Sequence, residues 1–357
     1  VAVALSGGVD SSTAAALLVQ QGYQVSGVTM RLWTASPIGR PPESDHSTLA
    51  AVEDARRLCA MLGIPFALVD LEEEFKAKVV GYFCDNYALG RTPNPCLACN
   101  REIKFKALLR FVRGSGADLL ATGHYARIRF RDGQYQLLRG VDQHKDQSYV
   151  LYSLGQEELP HLLFPLGDRS KSEVRAMATA FGLPAAERAE SQDACFLPDG
   201  DYRAFLARER PETTRPGPIL DAQGNVLGEH RGVAFHTVGQ RQGMGLTAGH
   251  PLYVVEIDPA RDALIVGPKA ALLRRGLLAE EVHFVAGQAP PEPVRITAKI
   301  RYKAAEAEAT LIPLPERKAM VRFAAPQPAI TPGQGVVFYQ DEVVMGGGII
   351  TSSVAEA

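Results

Sequence analysis

Val1-Ala2-Val3-Ala4-Leu5-Ser6-Gly7-Gly8-Val9-Asp10-Ser11-Ser12 opens the chain and decides its fold. Five small apolar, largely β-favouring residues predict a buried parallel strand. Ser6-Gly7-Gly8 breaks that strand, and Asp10-Ser11-Ser12 starts a helix that runs through Thr13 to Gln21 and stops near Gly22. A strand, a glycine turn and a helix N-terminus aim backbone N–H groups and the positive helix end at one point, which suits an anion. Two adjacent glycines let the backbone approach that anion without a Cβ in the way. The stretch lacks the Gly-Lys-Ser/Thr ending of a Walker loop and the three spaced glycines of a dinucleotide fingerprint. A plain glycine turn is the bland alternative.

The rest of the first half repeats the pattern. Strands are expected over Tyr23–Arg31, Phe66–Asp70 and Ala117–Thr122, with helices over Thr48–Leu62, Glu72–Asn86 and Ile103–Val112. Trp33 to Ser47, rich in proline, reads as a loop. This alternation predicts an α/β, doubly wound parallel sheet. The Ser6 loop, Met30, the Cys96/Cys99 loop and Gly123-His124 all follow strand ends and should share one face. A hairpin follows around Asp132-Gly133, and a helix over Lys171–Phe181. From about Gly200 glycine and proline increase and short strands dominate, ending in a small C-terminal β-barrel. The expected division is 1–200 for the nucleotide domain, 201–275 for a small central domain and 276–357 for the barrel.

Composition narrows the class. The 357 residues are 46% hydrophobic and 22% charged, ordinary for a globular chain, and the net charge of −2 offers no general pull toward nucleic acid. Any polyanion must meet a local basic patch. No apolar run reaches the length of a membrane span and no signal peptide is visible, so the expected home is the cytoplasm. The start at Val1, already inside a strand, suggests that a few native residues once preceded it. Five cysteines are too few for a disulfide scaffold.

Three of those cysteines are candidates for chemistry. Pro93-Asn94-Pro95-Cys96-Leu97-Ala98-Cys99-Asn100 holds a CxxC on a proline-stiffened loop, which suits a redox pair, half a zinc site or cluster ligands. Cys195 follows in Ser191–Leu197 (SQDACFL), while Cys59 and Cys84 sit among apolar helix residues and read as packing. Arg295-Ile296-Thr297-Ala298-Lys299-Ile300-Arg301-Tyr302-Lys303 alternates with period two, a basic stripe backed by apolar residues. It is an RNA surface or a solvated strand face. Arg101, Lys104 and Lys106 add positive charge beside Cys99.

Ser-Gly-Gly-x-Asp-Ser resembles the pyrophosphate loop of the ATP pyrophosphatase (PP-loop, adenine nucleotide α hydrolase-like) superfamily. With NPCLACNREIKF (94–105), ATGHY (121–125), KDQSY (145–149), SQDACF (191–196), HTVGQR (236–241) and GGGII (346–350), the chain resembles the bacterial tRNA-specific 2-thiouridylase family over nearly its whole length. The resemblance implies ATP-dependent replacement of the C2 oxygen of the wobble uridine, position 34, by sulfur. It implies nucleotide contacts from Ala4, Leu5, Ser6, Gly7, Gly8, Val9, Asp10, Ser11, Met30 and Gly123, with Asp10 acting through Mg²⁺. Cys195 would carry a persulfide and Cys99 would be its catalytic partner. Asn94, Pro95 and Cys96 would line the target base, and His124, Lys145, Asp146, Gln147, Arg301, Tyr302 and Gln334 would contact tRNA. A sulfur-relay donor protein is implied as well. Many members carry Asp where this chain has Cys96, so Cys96, Cys99 and Cys195 could together hold a [4Fe–4S] cluster instead. Rival readings are another PP-loop enzyme, either a different tRNA thiolase or a carboxylate-adenylating synthetase, and an ATP-gated RNA-binding protein without turnover.

Overall fold

The computed structural model describes residues 1–33, 49–187, 194–197, 200–246 and 249–355. The loop expected after Trp33 and residues Ser191, Gln192 and Asp193 of the SQDACFL segment lie outside the described residues.

The first sheet is wholly parallel. β1 (Ala2–Ala4) pairs with β2 (Ser26–Arg31) on one side and β4 (Leu120–Ala121) on the other. β3 (Phe66–Asp70) lies outside β2, and β7 (Leu162–Leu163), which sequence patterning missed, outside β4. Alternation along the strands feeds two layers. Ala2, Val28 and Leu120 face a core with Phe75, Phe83, Ile103 and Leu108, whereas Val3, Leu5 and Ala121 face helices Val9–Gln20, Leu49–Leu62 and Lys171–Ala180. Cys59 belongs to that second layer, tight enough that a Cβ on Gly27 would lie 2.3 Å from its sulfur. The strand order reverses between β1 and β4, so the ligand crevice is expected where both end.

Two elements differ from expectation. The Glu72–Asn86 helix is helical over 72–88 with a π-helical middle, Lys76–Gly81. Cys96 and Cys99 are not on an open loop. Pro95–Ala98 is a helical turn that runs into a π-helix, Cys99–Leu108. Pro95 sits at N1, where its missing N–H costs nothing, and Asn94 caps the turn by accepting from Cys96 N–H at 3.0 Å.

The hairpin β5 (Ala126–Arg131) and β6 (Gln134–Arg139) leaves the parallel sheet altogether. A central four-stranded sheet follows: β8 (Gly217–Leu220), β9 (Val226–His230), β10 (Tyr253–Asp258) and β11 (Ala263–Gly267). Helix Tyr202–Glu209 precedes it, which the strand-dominated reading did not anticipate. β12 (Leu273–Phe284), β13 (Val294–Lys299), β14 (Ala307–Leu314), β15 (Lys318–Pro328), β16 (Gly335–Gln340) and β17 (Val343–Val354) then form the barrel. The ring runs β12-β15-β14-β13-β16-β17 and closes by β12–β17 pairing. The hairpin docks on its outside through Leu138↔Val343, where Arg127 and Arg129 share Glu342. Among the described residues no helix is long and apolar enough to cross a membrane.

Candidate active site

The phosphate loop is built by its own residues. Gly7 takes φ +75, a conformation that favours glycine, and Gly8 is the N-cap of helix Val9–Gln20 with no side-chain cap. The helix end therefore keeps its N–H groups available to an anion. Ser11 Oγ accepts from Ser6 N–H at 3.2 Å and donates to Gly8 O at 3.2 Å, and Ser12 Oγ donates to Gly8 O at 2.9 Å. Leu5 N–H donates to Val28 O, so the loop leaves the sheet at a fixed angle. Ala4 and Val9 flank it, and Met30 stands half-buried near the end of β2. At the end of β4, Gly123 lies so close that a Cβ would come within 2.8 Å of Ser11 N and 2.9 Å of Asp10 C. The two strand ends expected to share a crevice do meet.

Asp10 is already engaged. Lys171 Nζ donates to both of its carboxylate oxygens, at 2.7 and 2.8 Å, and Tyr125 OH donates to Oδ1 at 2.8 Å. A carboxylate beside a phosphate loop has the donor chemistry for Mg²⁺. With both oxygens committed to a cation and a phenol, Asp10 does not fit that role as it stands. Sequence reading missed Lys171; its only local signal is the Ser170/Glu173 capping box that starts its helix.

The cysteine turn is held from outside. Thr92 N–H donates to Pro332 O at 2.8 Å, and its carbonyl accepts from Gln334 Nε2 at 2.8 Å. Its hydroxyl bonds Thr237 Oγ1 of the HTVGQR segment at 3.0 Å. Gly333 (φ +91) fits against Thr92 because a Cβ there would lie 2.9 Å from its backbone. Asn100 Nδ2 donates to Cys96 O at 2.9 Å and fixes the turn from within. Burial pushes the Cys99 thiol up to about 11, with Lys104 pulling the other way and Cys96 adding to the rise. Burial raises Cys96 too. Cys96 is nonetheless exposed at the surface, so solvent reaches its thiol.

Cys195 is exposed, and its neighbour Phe196 is anchored edge-on among Phe75, Phe83 and Phe205, with ring centroids 5.2–5.9 Å apart. Among the described residues no three His, Cys, Asp or Glu side chains are arranged to hold a metal ion, so Cys96, Cys99 and Cys195 do not fit a [4Fe–4S] cluster in this conformation.

The expected tRNA residues divide. The Tyr302 ring lies tilted against that of Tyr149, centroids 6.0 Å apart, Lys299 Nζ stands 5.7 Å from the Tyr302 ring, and Tyr149 OH donates to Gly335 O beside Gln334. Gly335 in turn lies against the cysteine turn, where a Cβ on it would come 2.7 Å from Leu97 Cδ1. Asp146, by contrast, is buried and accepts from Gly140 N–H, Ser148 N–H and Ser148 Oγ, so it frames its loop. Gln147 Oε1 accepts from Tyr125 N–H, which latches the half-buried Lys145 segment to the residue that holds Asp10. His124 is buried between Phe105 and Phe164 and bonds Thr122 Oγ1 through Nδ1. Burial and Lys104 hold its pKa well below the usual range, so it is neutral. The basic stripe alternates as read through Ile300, with Ile296, Ala298 and Ile300 buried, but Arg301 and Lys303 lie in the turn after β13. Arg101 pairs with Glu281 and Glu102, and Lys106 with Glu102, whereas Lys104 has no carboxylate partner among the described residues.

Comparison with known proteins gives the same layout. Residues 1–199 match the tRNA methyl transferase HUP domain family, 203–268 the tRNA methyl transferase PRC-barrel domain and 274–350 the aminomethyltransferase β-barrel domain. A protein of Moorella thermoacetica named tRNA-specific 2-thiouridylase MnmA is 52% identical over 353 residues, covering 98% of this chain and 99% of its own length. Proteins of the same name from Roseiflexus castenholzii (98% of each chain) and Chloroflexus aurantiacus (98% of each) are 50% and 52% identical. With the parallel sheet, the closed barrel and identity of this extent, the chain belongs to the tRNA-specific 2-thiouridylase family.

Proposed function

We propose that this protein replaces the C2 oxygen of the wobble uridine of tRNA by sulfur at the expense of ATP. The observation that carries this reading is end-to-end identity of about half the residues with relatives named for that activity. ATP would lie across residues 4–11, Met30 and Gly123, and tRNA would reach the cysteine turn under Tyr302, Arg301 and Gln334. The working division is 1–200, 201–275 and 276–357.

The C2 oxygen of uracil is a poor leaving group. Its attack on the α-phosphorus forms an O–P bond, expels pyrophosphate and turns it into AMP-to-be. The terminal sulfur of a Cys195 persulfide then attacks C2 and AMP departs. The Cys99 thiolate attacks Sγ of Cys195, which frees the thiocarbonyl and leaves a Cys99–Cys195 disulfide for an external dithiol to reduce. A sulfur-relay protein reloads Cys195, and the reaction belongs where tRNA is, in the cytoplasm.

The test is mass analysis of the wobble nucleoside after incubation with ATP, a persulfide sulfur donor, a dithiol and unmodified tRNA. Wild type should yield 2-thiouridine, and C99A and C195A none. Pyrophosphate release without thiouridine would point to another PP-loop enzyme, and neither product to an RNA-binding protein without turnover.

A further inference from the structure

The persulfide route uses Cys195 and Cys99, and a further thiol, Cys96, stands one helical turn from Cys99. We infer that Cys96 is the resolving thiol of this site: it attacks the Cys99–Cys195 disulfide at Sγ of Cys99, moves that bond into the CxxC pair and returns Cys195 to the thiol. The inference rests on the sulfur-transfer reading above.

Backbone geometry selects this pair. Cys99 N–H donates to Cys96 O, so the two residues stand one above the other on the turn. Helical positions three apart have Cα atoms about 5 Å from each other, inside the span of roughly 4.4–6.8 Å that a disulfide bridges. Cys96 is held firmly there. Its N–H donates to Asn94 Oδ1, and its carbonyl also accepts from Nδ2 of the buried Asn100. Its thiol is exposed, whereas Cys99 is half-buried. Cys59 and Cys84 are each 1% exposed and are closed to exchange. Lys104 pulls both thiols of the turn toward thiolate, against the burial that raises them.

The exchange balances without any oxidant. The Cys96 thiolate bonds to Sγ of Cys99 as the Cys99–Cys195 bond breaks. The electron pair leaves on Sγ of Cys195, which takes up a proton to replace the one Cys96 gave to solvent. A thiolate fixed one turn away meets this disulfide at an effective concentration that a dithiol in solution does not reach. The external dithiol then attacks the exposed sulfur of Cys96, while Cys195 is already able to accept the next persulfide.

A single turnover without external dithiol tests this. Enzyme loaded with persulfide on Cys195 is mixed anaerobically with ATP and unmodified tRNA, quenched in acid and alkylated. Peptide mass analysis then maps its disulfides against the 2-thiouridine formed. Wild type should carry Cys96–Cys99 in roughly tenfold excess over Cys99–Cys195, with Cys195 alkylated. In Cys96→Ser each thiouridine should instead be matched by one Cys99–Cys195 disulfide. Without ATP neither disulfide should form. Cys99–Cys195 as the main form in wild type, with Cys96 alkylated, overturns the inference, and so does Cys96–Cys99 in equal amount without ATP. Wild type decides this even if C96S does not fold. No thiouridine, or thiouridine with no disulfide at all, would sink the sulfur-transfer reading and this inference with it.

Discussion

The phosphate loop and the cysteine turn are the two reactive corners of the molecule, and they are held in opposite ways. The loop is closed mainly by neighbours in sequence: Ser6 to Ser11, Ser11 and Ser12 to Gly8. The turn is positioned by contacts from afar, through Thr92 to Thr237, Pro332 and Gln334. One corner can take its shape as soon as the parallel sheet forms. The other is complete only when the central sheet and the barrel are seated. Nucleotide binding and sulfur transfer should therefore come apart under mutation.

The sharpest separation is expected from Gly8→Val against Cys99→Ala. A Cβ on Gly8 would meet only Ser6 Oγ at 3.5 Å, and its φ of −88° is open to any residue. The fold should survive G8V while the side chain fills the phosphate space, lowering ATP affinity by roughly 100-fold or more. Gly7→Val is a poorer probe, since φ +75 adds backbone strain. C99A should abolish thiolation and leave ATP affinity at the wild-type value. Calorimetry and nucleoside analysis check both. ATP binding lost in C99A, or kept in G8V, would break the comparison.

The junction at Thr92 comes next. Gly333→Ala puts a Cβ 2.9 Å from the Thr92 backbone in a conformation that costs an L-residue about 1–2 kcal/mol. Thiolation turnover should fall roughly tenfold with ATP affinity unchanged. Thr92→Val removes only the hydroxyl bond to Thr237, about 1 kcal/mol, and should cost roughly fivefold. Equal losses in ATP affinity would show that the turn is not a separate unit.

This division also governs what the sequence made legible. The loop, its helix and the alternation around it are written in adjacent residues, so strand–glycine–helix could be read directly. CxxC spacing marked the thiols but not the helical turn they sit on, although its signals, the Asn94 cap and Pro95 at N1, are local; the π-helical continuation, with Ile103 buried in the core, carries no such local signal. Lys171 was invisible for the same reason. Its partner is 161 residues away, and nothing in KSEVR distinguishes a buried cation from a surface one. Asp146 looked like a polar contact residue and is instead a buried loop frame. Spacing finds chemistry that is local; it does not find chemistry assembled across sheets.

A smaller effect concerns pH. Thiolate is the reactive form, and the Cys99 thiol is held up at about 11 by burial. Where Cys99 limits turnover, the thiolation rate should rise about tenfold per pH unit from pH 7 to 9. Lys104→Met removes the cation that pulls this thiol down. Its rate at pH 8 should fall about threefold to tenfold, and the deficit should shrink as pH rises. The same shift has a stability sign. Cys99 keeps its proton in the fold above its ordinary 9.0, so its contribution is intact below that pH and is lost as pH climbs through about 11. A flat rate profile, or a K104M deficit that grows with pH, would remove Cys99 ionisation from the rate.

The smallest expected effect lies on the barrel. Lys299 lies on β13 with its ammonium by the Tyr302 ring, and Arg301 follows in the turn. The stripe they belong to is not uniformly basic. Thr297 pairs with Glu308 across β14, and its hydroxyl donates to Glu306. Glu306 is itself paired with Arg139, and Lys299 and Arg301 have no carboxylate partner among the described residues. Removing both charges in K299A/R301A should therefore weaken tRNA modestly and flatten the slope of log affinity against log salt by roughly one to two counterions. ATP affinity should not change, because the phosphate loop is closed by its own residues. Substituting Arg295, at the far end of the strand beside Thr310, should leave the slope where it was. Filter binding of unmodified tRNA from low to moderate salt measures all three. An unchanged slope in K299A/R301A makes the stripe a solvated strand face; an equal loss with Arg295 replaced extends the RNA along the whole strand and away from the cysteine turn.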